Sequence, residues 1–184
     1  MEIYYTRRFN RNVGGRDMSR FLLMRVLGEY GGLSDKTEIN EEKRGRRYID
    51  GKYGIRFSIT HTENYWLCSM SDYEHGIDAE KITRQVTDPC RIAGRFLTEK
   101  EQSYIREGRD AAEMRERMVC LWTRKEAYLK FTGEGLYGLG RSPSVIDPPE
   151  GTELWTFRED GLYVSVCAGS GSLKRRPDFL CLDR

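Results

Sequence analysis

The stretch Met118-Val119-Cys120-Leu121-Trp122-Thr123-Arg124-Lys125-Glu126-Ala127-Tyr128-Leu129-Lys130-Phe131-Thr132-Gly133-Glu134-Gly135 reads as an amphipathic helix stopped by Gly133. Trp122, Glu126 and Lys130 recur at four-residue steps. At about 100° per residue each step drifts only about 40°, so a ring, a carboxylate and an ammonium share one stripe. Taken alone, such a stripe is a surface helix carrying a weak Glu126–Lys130 pair. A second acidic segment upstream changes the reading.

That segment begins where Ile55, Phe57 and Ile59 alternate with Arg56, Ser58 and Thr60. This is the period of a half-buried strand. His61-Thr62-Glu63-Asn64 turns the chain into a second strand, Tyr65 to Met70, and residues 71–74 turn it again into a third, His75 to Glu80. Asp78 and Glu80 lie two apart and therefore on one face. Two such carboxylates repel unless a cation lies between them, and a hard divalent cation prefers an oxygen cluster of this kind. Exposed acids on an edge strand are the plain alternative, as a satisfied turn residue is for His61.

Working outward, residues 2–5 suggest a short strand, and Asp17 to Tyr30 has helical spacing closed by Gly31-Gly32. Residues 34–54 are polar and interrupted by glycine. Their basic run, Lys43-Arg44-Gly45-Arg46-Arg47, is of the type that grips phosphate through arginine. A helix interrupted by Pro89 is expected over 86–96. Thr98 and Glu101 form a capping box that opens a helix to about Glu107, and Asp110 with Glu113 starts the long helix. Glu153–Phe157 and Gly161–Ala168 predict a hairpin, and no element is expected beyond Lys174. The order of elements predicts an α+β protein of two packed halves, residues 1–84 and 85–184.

The chain has 184 residues, enough for a core without disulfides or metal staples. Its 31 Lys and Arg against 29 Asp and Glu leave a net charge of +2, which argues against bulk nucleic-acid binding. Five widely spaced cysteines with only two histidines give no zinc pattern and fit a reducing cytoplasm. Neither a signal peptide nor an apolar run near the ~20 residues of a membrane span is present, so a soluble cytoplasmic protein that does not engage membranes is expected.

Four segments in order, Phe57-Ser58-Ile59-Thr60-His61-Thr62, Gly76-Ile77-Asp78-Ala79-Glu80, Arg95-Phe96-Leu97-Thr98-Glu99-Lys100-Glu101 and Trp122-Thr123-Arg124-Lys125-Glu126-Ala127-Tyr128-Leu129-Lys130, resemble the 4'-phosphopantetheinyl transferase superfamily. The resemblance is strongest to the monomeric, pseudo-dimeric type that primes peptide and polyketide synthases, and it covers roughly residues 16–168. It implies an intramolecular pseudo-dimer, each half carrying a small antiparallel sheet and a long helix. It implies Mg2+ held by Asp78, Glu80 and Glu126. Coenzyme A would be the co-substrate, with His61 at its 3'-phosphate and Arg16, Arg46, Thr60 and Lys130 as further contacts. The partner would be an apo acyl or peptidyl carrier protein.

Coenzyme A carries a pyrophosphate and a 3'-phosphate, so its charge must be compensated before a serine hydroxyl can approach. Lys130 is a candidate for holding a phosphate oxygen or protonating the leaving group, whereas Lys125 is rotated about 100° away. Glu126, Glu101 or a metal-bound water can take the serine proton. Rival readings are a non-catalytic coenzyme A or carrier-binding module and an Mg-dependent hydrolase of nucleotide pyrophosphates. Arg115, Arg117 and Arg124 with Met114 and Met118 form the expected local patch for an acidic carrier.

Overall fold

The computed structural model describes all residues except 13, 35, 87 and 184. Strand β1 (Glu2–Thr6) is followed by helix α1 (Gly15–Gly31), a two-residue pair β2 (Asn40–Glu41) and β3 (Arg47–Tyr48), and strands β4 (Arg56–Thr62), β5 (Tyr65–Ser71) and β6 (His75–Lys81). Helices α2 (Pro89–Phe96), α3 (Glu99–Arg106) and α4 (Ala111–Thr132) come next, then β7 (Thr152–Glu159), β8 (Leu162–Gly169) and β9 (Asp178–Cys181). The protein is a mixed α+β fold.

Two sheets carry the architecture. One has the order β4-β5-β1-β9, the other β6-β8-β7. Strand alternation sorts their side chains. Tyr4, Phe57, Trp66, Cys68 and Met70 face α1, where they pack with Leu22, Leu23, Val26 and Leu27. Ile3, Tyr65 and Leu67, on the opposite face, meet Ile77, Ala79, Val164 and Val166 of the second sheet. The far side of that sheet, through Leu154 and Cys167, packs with Met118, Leu121 and Ala127 of α4. Each helix thus covers the outer face of one sheet.

Two expectations are corrected, for the tail and for Pro89, and the strands divide between the sheets in a way that the sequence left open. His75–Lys81 does not continue the first sheet but runs antiparallel to β8, with Asp78 opposite Ser165. The fully buried apolar side chains of Leu162, Val164 and Val166 offer Ile77 and Ala79 a drier partner than β4 does. The tail does form an element: β9 pairs parallel with β1, Glu2 opposite Asp178. A four-residue edge strand whose partner lies at the other end of the chain leaves no local signal. A cut at residue 84 therefore does not follow the sheets, because β6 is given to the second and β9 returns to the first. Pro89, finally, opens α2 rather than interrupting a helix. It stands at the first turn behind the N-cap Asp88, where a missing N–H costs nothing.

The termini of the site helices are as expected. Gly32 and Gly133 close α1 and α4 at φ 64° and 71°, backbone that glycine adopts without strain. Asp110 accepts from the backbone of Ala112 and Glu113, and Thr98 with Glu101 completes a capping box. No helix among the described residues is long and apolar enough to cross a membrane.

Candidate active site

Gly76 sets the site. A Cβ there would stand 2.2 Å from the Ala127 carbonyl oxygen and 2.5 Å from the Phe131 nitrogen, so only glycine lets α4 seat this closely on β6. The approach places the Lys130 ammonium 2.8 Å from Asp78 Oδ1 and 2.9 Å from the Ile77 carbonyl oxygen. Asp78 is 3% exposed, and its Oδ2 is buried with no hydrogen-bond partner.

The two hydroxyls flanking His61 are turned to the acids. Thr60 Oγ1 donates to Asp78 Oδ1 at 2.7 Å and Thr62 Oγ1 to Glu80 Oε2 at 2.6 Å, while Arg84 takes the other Glu80 oxygen. Burial pushes the Glu80 carboxyl up from its usual range, with Asp78 adding to it and Thr62 and Arg84 opposing. Glu126 is pushed up to about 7, chiefly by burial and then by the Asp78 charge, with Lys130 offsetting part. The Asp78 charge therefore reaches both Glu80 and Glu126.

This donor set is of the kind a hard divalent ion takes: three carboxylates, one with an unsatisfied buried oxygen, two whose protons burial holds more tightly than usual. Among the described residues no group of three acids, histidines or cysteines is already arranged to enclose a metal. Lys130 provides the cation on Asp78.

Beside the acids opens a cleft of about 630 Å³. Arg11, Arg16, Arg44, Arg46, Arg47 and Lys130 line it, and Glu126 is the one carboxylate among the described lining residues. The first turn of α1, behind Gly14 with no side-chain cap, adds Gly15 and Arg16 to its wall. Free N–H groups at a helix start favour anions. His61 faces the cleft with its ring edge-on to Phe9, centroids 5.5 Å apart. Partial burial, then Arg11 and Lys130, pushes its pKa down. Arg46 and Arg56 are both held by Glu74.

The structure thus brings together Arg16, Arg46, His61, Lys130 and Glu126 around the cleft, with Asp78 and Glu80 behind. Arg20, also on α1, is not in the wall. Thr60 is 4% exposed and spends its proton on Asp78 instead of facing the cleft. Glu101 is fully buried and fully used: it accepts from Thr98, from Lys125 Nζ at 2.9 Å and from the Val145 backbone at 2.8 Å. It cannot reach a substrate, and Lys125 is bound up with it. Of the expected docking patch, Arg117, Arg124 and Met118 are engaged within the fold. Arg124 is committed to the carbonyl oxygens of Val145 and Ile146 and to Thr156, Arg117 binds Glu113 and the Tyr104 carbonyl oxygen, and Met118 is core.

Arg11 and Arg44 were not singled out in the sequence. Arg44 belongs to the recognised basic run, whereas Arg11 lies in a loop with neither period nor motif, and only folding carries it to His61.

Residues 74–173 match the 4'-phosphopantetheinyl transferase superfamily. The chain is 31% identical to the 4'-phosphopantetheinyl transferase HetI of Nostoc sp., over 74% of this chain and 59% of that protein. To the 4'-phosphopantetheinyl transferase gsp of Aneurinibacillus migulanus it is 30% identical, over 69% and 50%, and to a 4'-phosphopantetheinyl transferase of Bacillus subtilis 28%, over 75% and 63%. The chain spans between half and about three fifths of the length of these relatives. The match runs from β6 to just beyond β8 and takes in Asp78, Glu80, Glu126 and Lys130, and with more than half of its residues matched, the chain belongs to the 4'-phosphopantetheinyl transferase superfamily.

Proposed function

We propose that this protein transfers the 4'-phosphopantetheine group of coenzyme A to a serine hydroxyl of an apo acyl or peptidyl carrier protein, releasing 3',5'-ADP. The observation that carries the reading is the meeting of three carboxylates, on β6 and α4, with a cleft whose other charges are positive. A pyrophosphate with a further phosphate needs both: cations along its length and an acid at the reacting end.

Asp78, Glu80 and Glu126 would hold Mg2+, which when bound neutralises pyrophosphate charge. Arg16, Arg46 and His61, together with Arg11 and Arg44, bind the phosphates of coenzyme A, Arg46 in a position fixed by Glu74. Glu126 is the group placed to take the serine proton, because it is the carboxylate that lines the cleft. The serine oxygen then bonds to the phosphorus bearing the pantetheine arm, and the bond from that phosphorus to the ADP oxygen breaks. Lys130 sits beside Glu126 and Asp78 to balance the charge left on the departing phosphate.

One helix on each of two small sheets supports reading the molecule as an intramolecular pseudo-dimer that acts as a monomer, with the acids contributed from the seam between the halves. The test is to incubate the protein with coenzyme A, Mg2+ and an apo carrier and to weigh the carrier. A gain of one phosphopantetheine with one 3',5'-ADP released is expected. Cleavage of coenzyme A with no change in carrier mass would make the protein a pyrophosphate hydrolase, and binding without either product a recognition module.

A further inference from the structure

Strands β4 and β6 are the facing edges of the two sheets and belong to different sheets. What joins them is a row of hydroxyls. Ser58 Oγ accepts from the Ile77 backbone N–H at 3.1 Å, Thr60 donates to Asp78, and Thr62 donates to Glu80. Thr60 and Asp78 are 18 residues apart, as are Thr62 and Glu80. The constant offset means that the strands run alongside in parallel and that every second residue of β4 reaches the next acid of β6.

We propose that Thr60 and Thr62 are positioning residues that fix the rotamers of Asp78 and Glu80 for a divalent cation. Threonine is stiff at χ1, so a hydroxyl on a strand points in a direction set by the backbone. Each has a single proton to give, and a carboxylate that receives it is held by one oxygen. For Asp78 the same oxygen also takes Lys130, which leaves Oδ2 buried and without a partner, the oxygen free for an added ligand. A contact of Thr60 with coenzyme A itself is not required: that hydroxyl is already used and is shielded from the cleft.

The inference rests on the proposed reading only for the identity of the cation. It is tested on the full chain with Thr60→Val and Thr62→Val, which keep the branched shape and remove the donor, and with Thr60→Ser and Thr62→Ser, which keep the donor. Mn2+ binding is measured by electron paramagnetic resonance without coenzyme A, alongside the Michaelis constant for coenzyme A at saturating metal. A lost hydrogen bond to a charged group predicts roughly tenfold or more weaker Mn2+ binding in each valine variant. The serine variants should stay within about threefold of wild type, and the coenzyme A constant should hold. Each valine variant reports on its own acid, and thermal melts select those that fold. If neither folds, Thr62→Ala with added methanol replaces them, with Mn2+ affinity again the readout. A raised coenzyme A constant with unchanged Mn2+ affinity would make Thr60 a substrate contact and overturn the proposal, as would unchanged values of both. Absence of transfer by the wild-type protein would remove the transferase reading and leave the Mn2+ comparison standing.

Discussion

Glu126 is both buried beside the Asp78 charge and part of the cleft wall. Glu126→Gln keeps the shape and removes the charge, so transfer should fall by at least about a hundredfold while the melting curve survives. Because folding raises the Glu126 pKa above its usual value, the native state binds this proton more tightly than the unfolded chain. The stability it contributes is present at acid pH and is lost as pH rises from the ordinary carboxylate range through about 7. Without Mg2+ the melting temperature should therefore drop between pH 5 and pH 8, the drop should shrink in Glu126→Gln, and Mg2+ should reduce it in the wild type by binding the ionised form. A flat wild-type profile would show that Glu126 is not buried among like charges. At His61 the neutral ring is favoured until an anion arrives, so His61→Ala should weaken coenzyme A more than dephospho-coenzyme A. Equal losses for the two ligands would make His61 a packing residue of β4, set against Phe9, with no part in reading the 3'-phosphate.

The elements explain which parts of this site were legible. Two periods sufficed for the acids: alternation puts Asp78 and Glu80 on one face of β6, and the four-residue step puts Glu126 and Lys130 on one side of α4. Both faces meet because Gly76 has no side chain. Gly76→Ala should push α4 off β6, costing about 1–3 kcal/mol or more and most of the metal affinity, visible as a lower melting temperature with weakened Mn2+ binding. A neutral effect would mean that the helix yields without moving Glu126. What sequence could not tell was the direction of polar side chains at fixed spacing. Thr60 and Arg124 carry groups suited to phosphates or to a partner, yet one is turned to a neighbouring strand and the other to backbone carbonyl oxygens. Glu101 was ambiguous between cap and base, and burial decides for the cap. Its pair with Lys125 ties α3 to α4 and to the 143–145 segment, so Glu101→Gln should destabilise the fold by about 3–5 kcal/mol by stranding a buried ammonium. Loss of transfer with an unchanged melting temperature would instead restore Glu101 as a catalytic group.

At the scale of the whole molecule, the order of elements implied an α+β protein, but the assignment of strands to sheets was hidden because it is decided by contacts far apart in the chain. β6 leaves its sequence neighbours for β8, and β9 crosses the full length of the chain to reach β1. That last pairing has a mechanical side. β1 and β9 run parallel, with the Leu182 N–H bonded to the Tyr5 carbonyl oxygen and Asp183 bonded to Thr6 and Arg7. A force applied between residue 1 and residue 183 would pull these two strands past each other along their length. All of their rungs would bear the load together instead of opening in turn, as in a zipper. Stretched between residues 1 and 183, the protein should resist as a clasp, giving way in one abrupt event at a force well above that needed when the same molecule is held by residues 1 and 71, the adjacent ends of antiparallel β1 and β5, where β1 is peeled from its neighbour. Similar forces in the two pulling directions would show that the clasp does not hold.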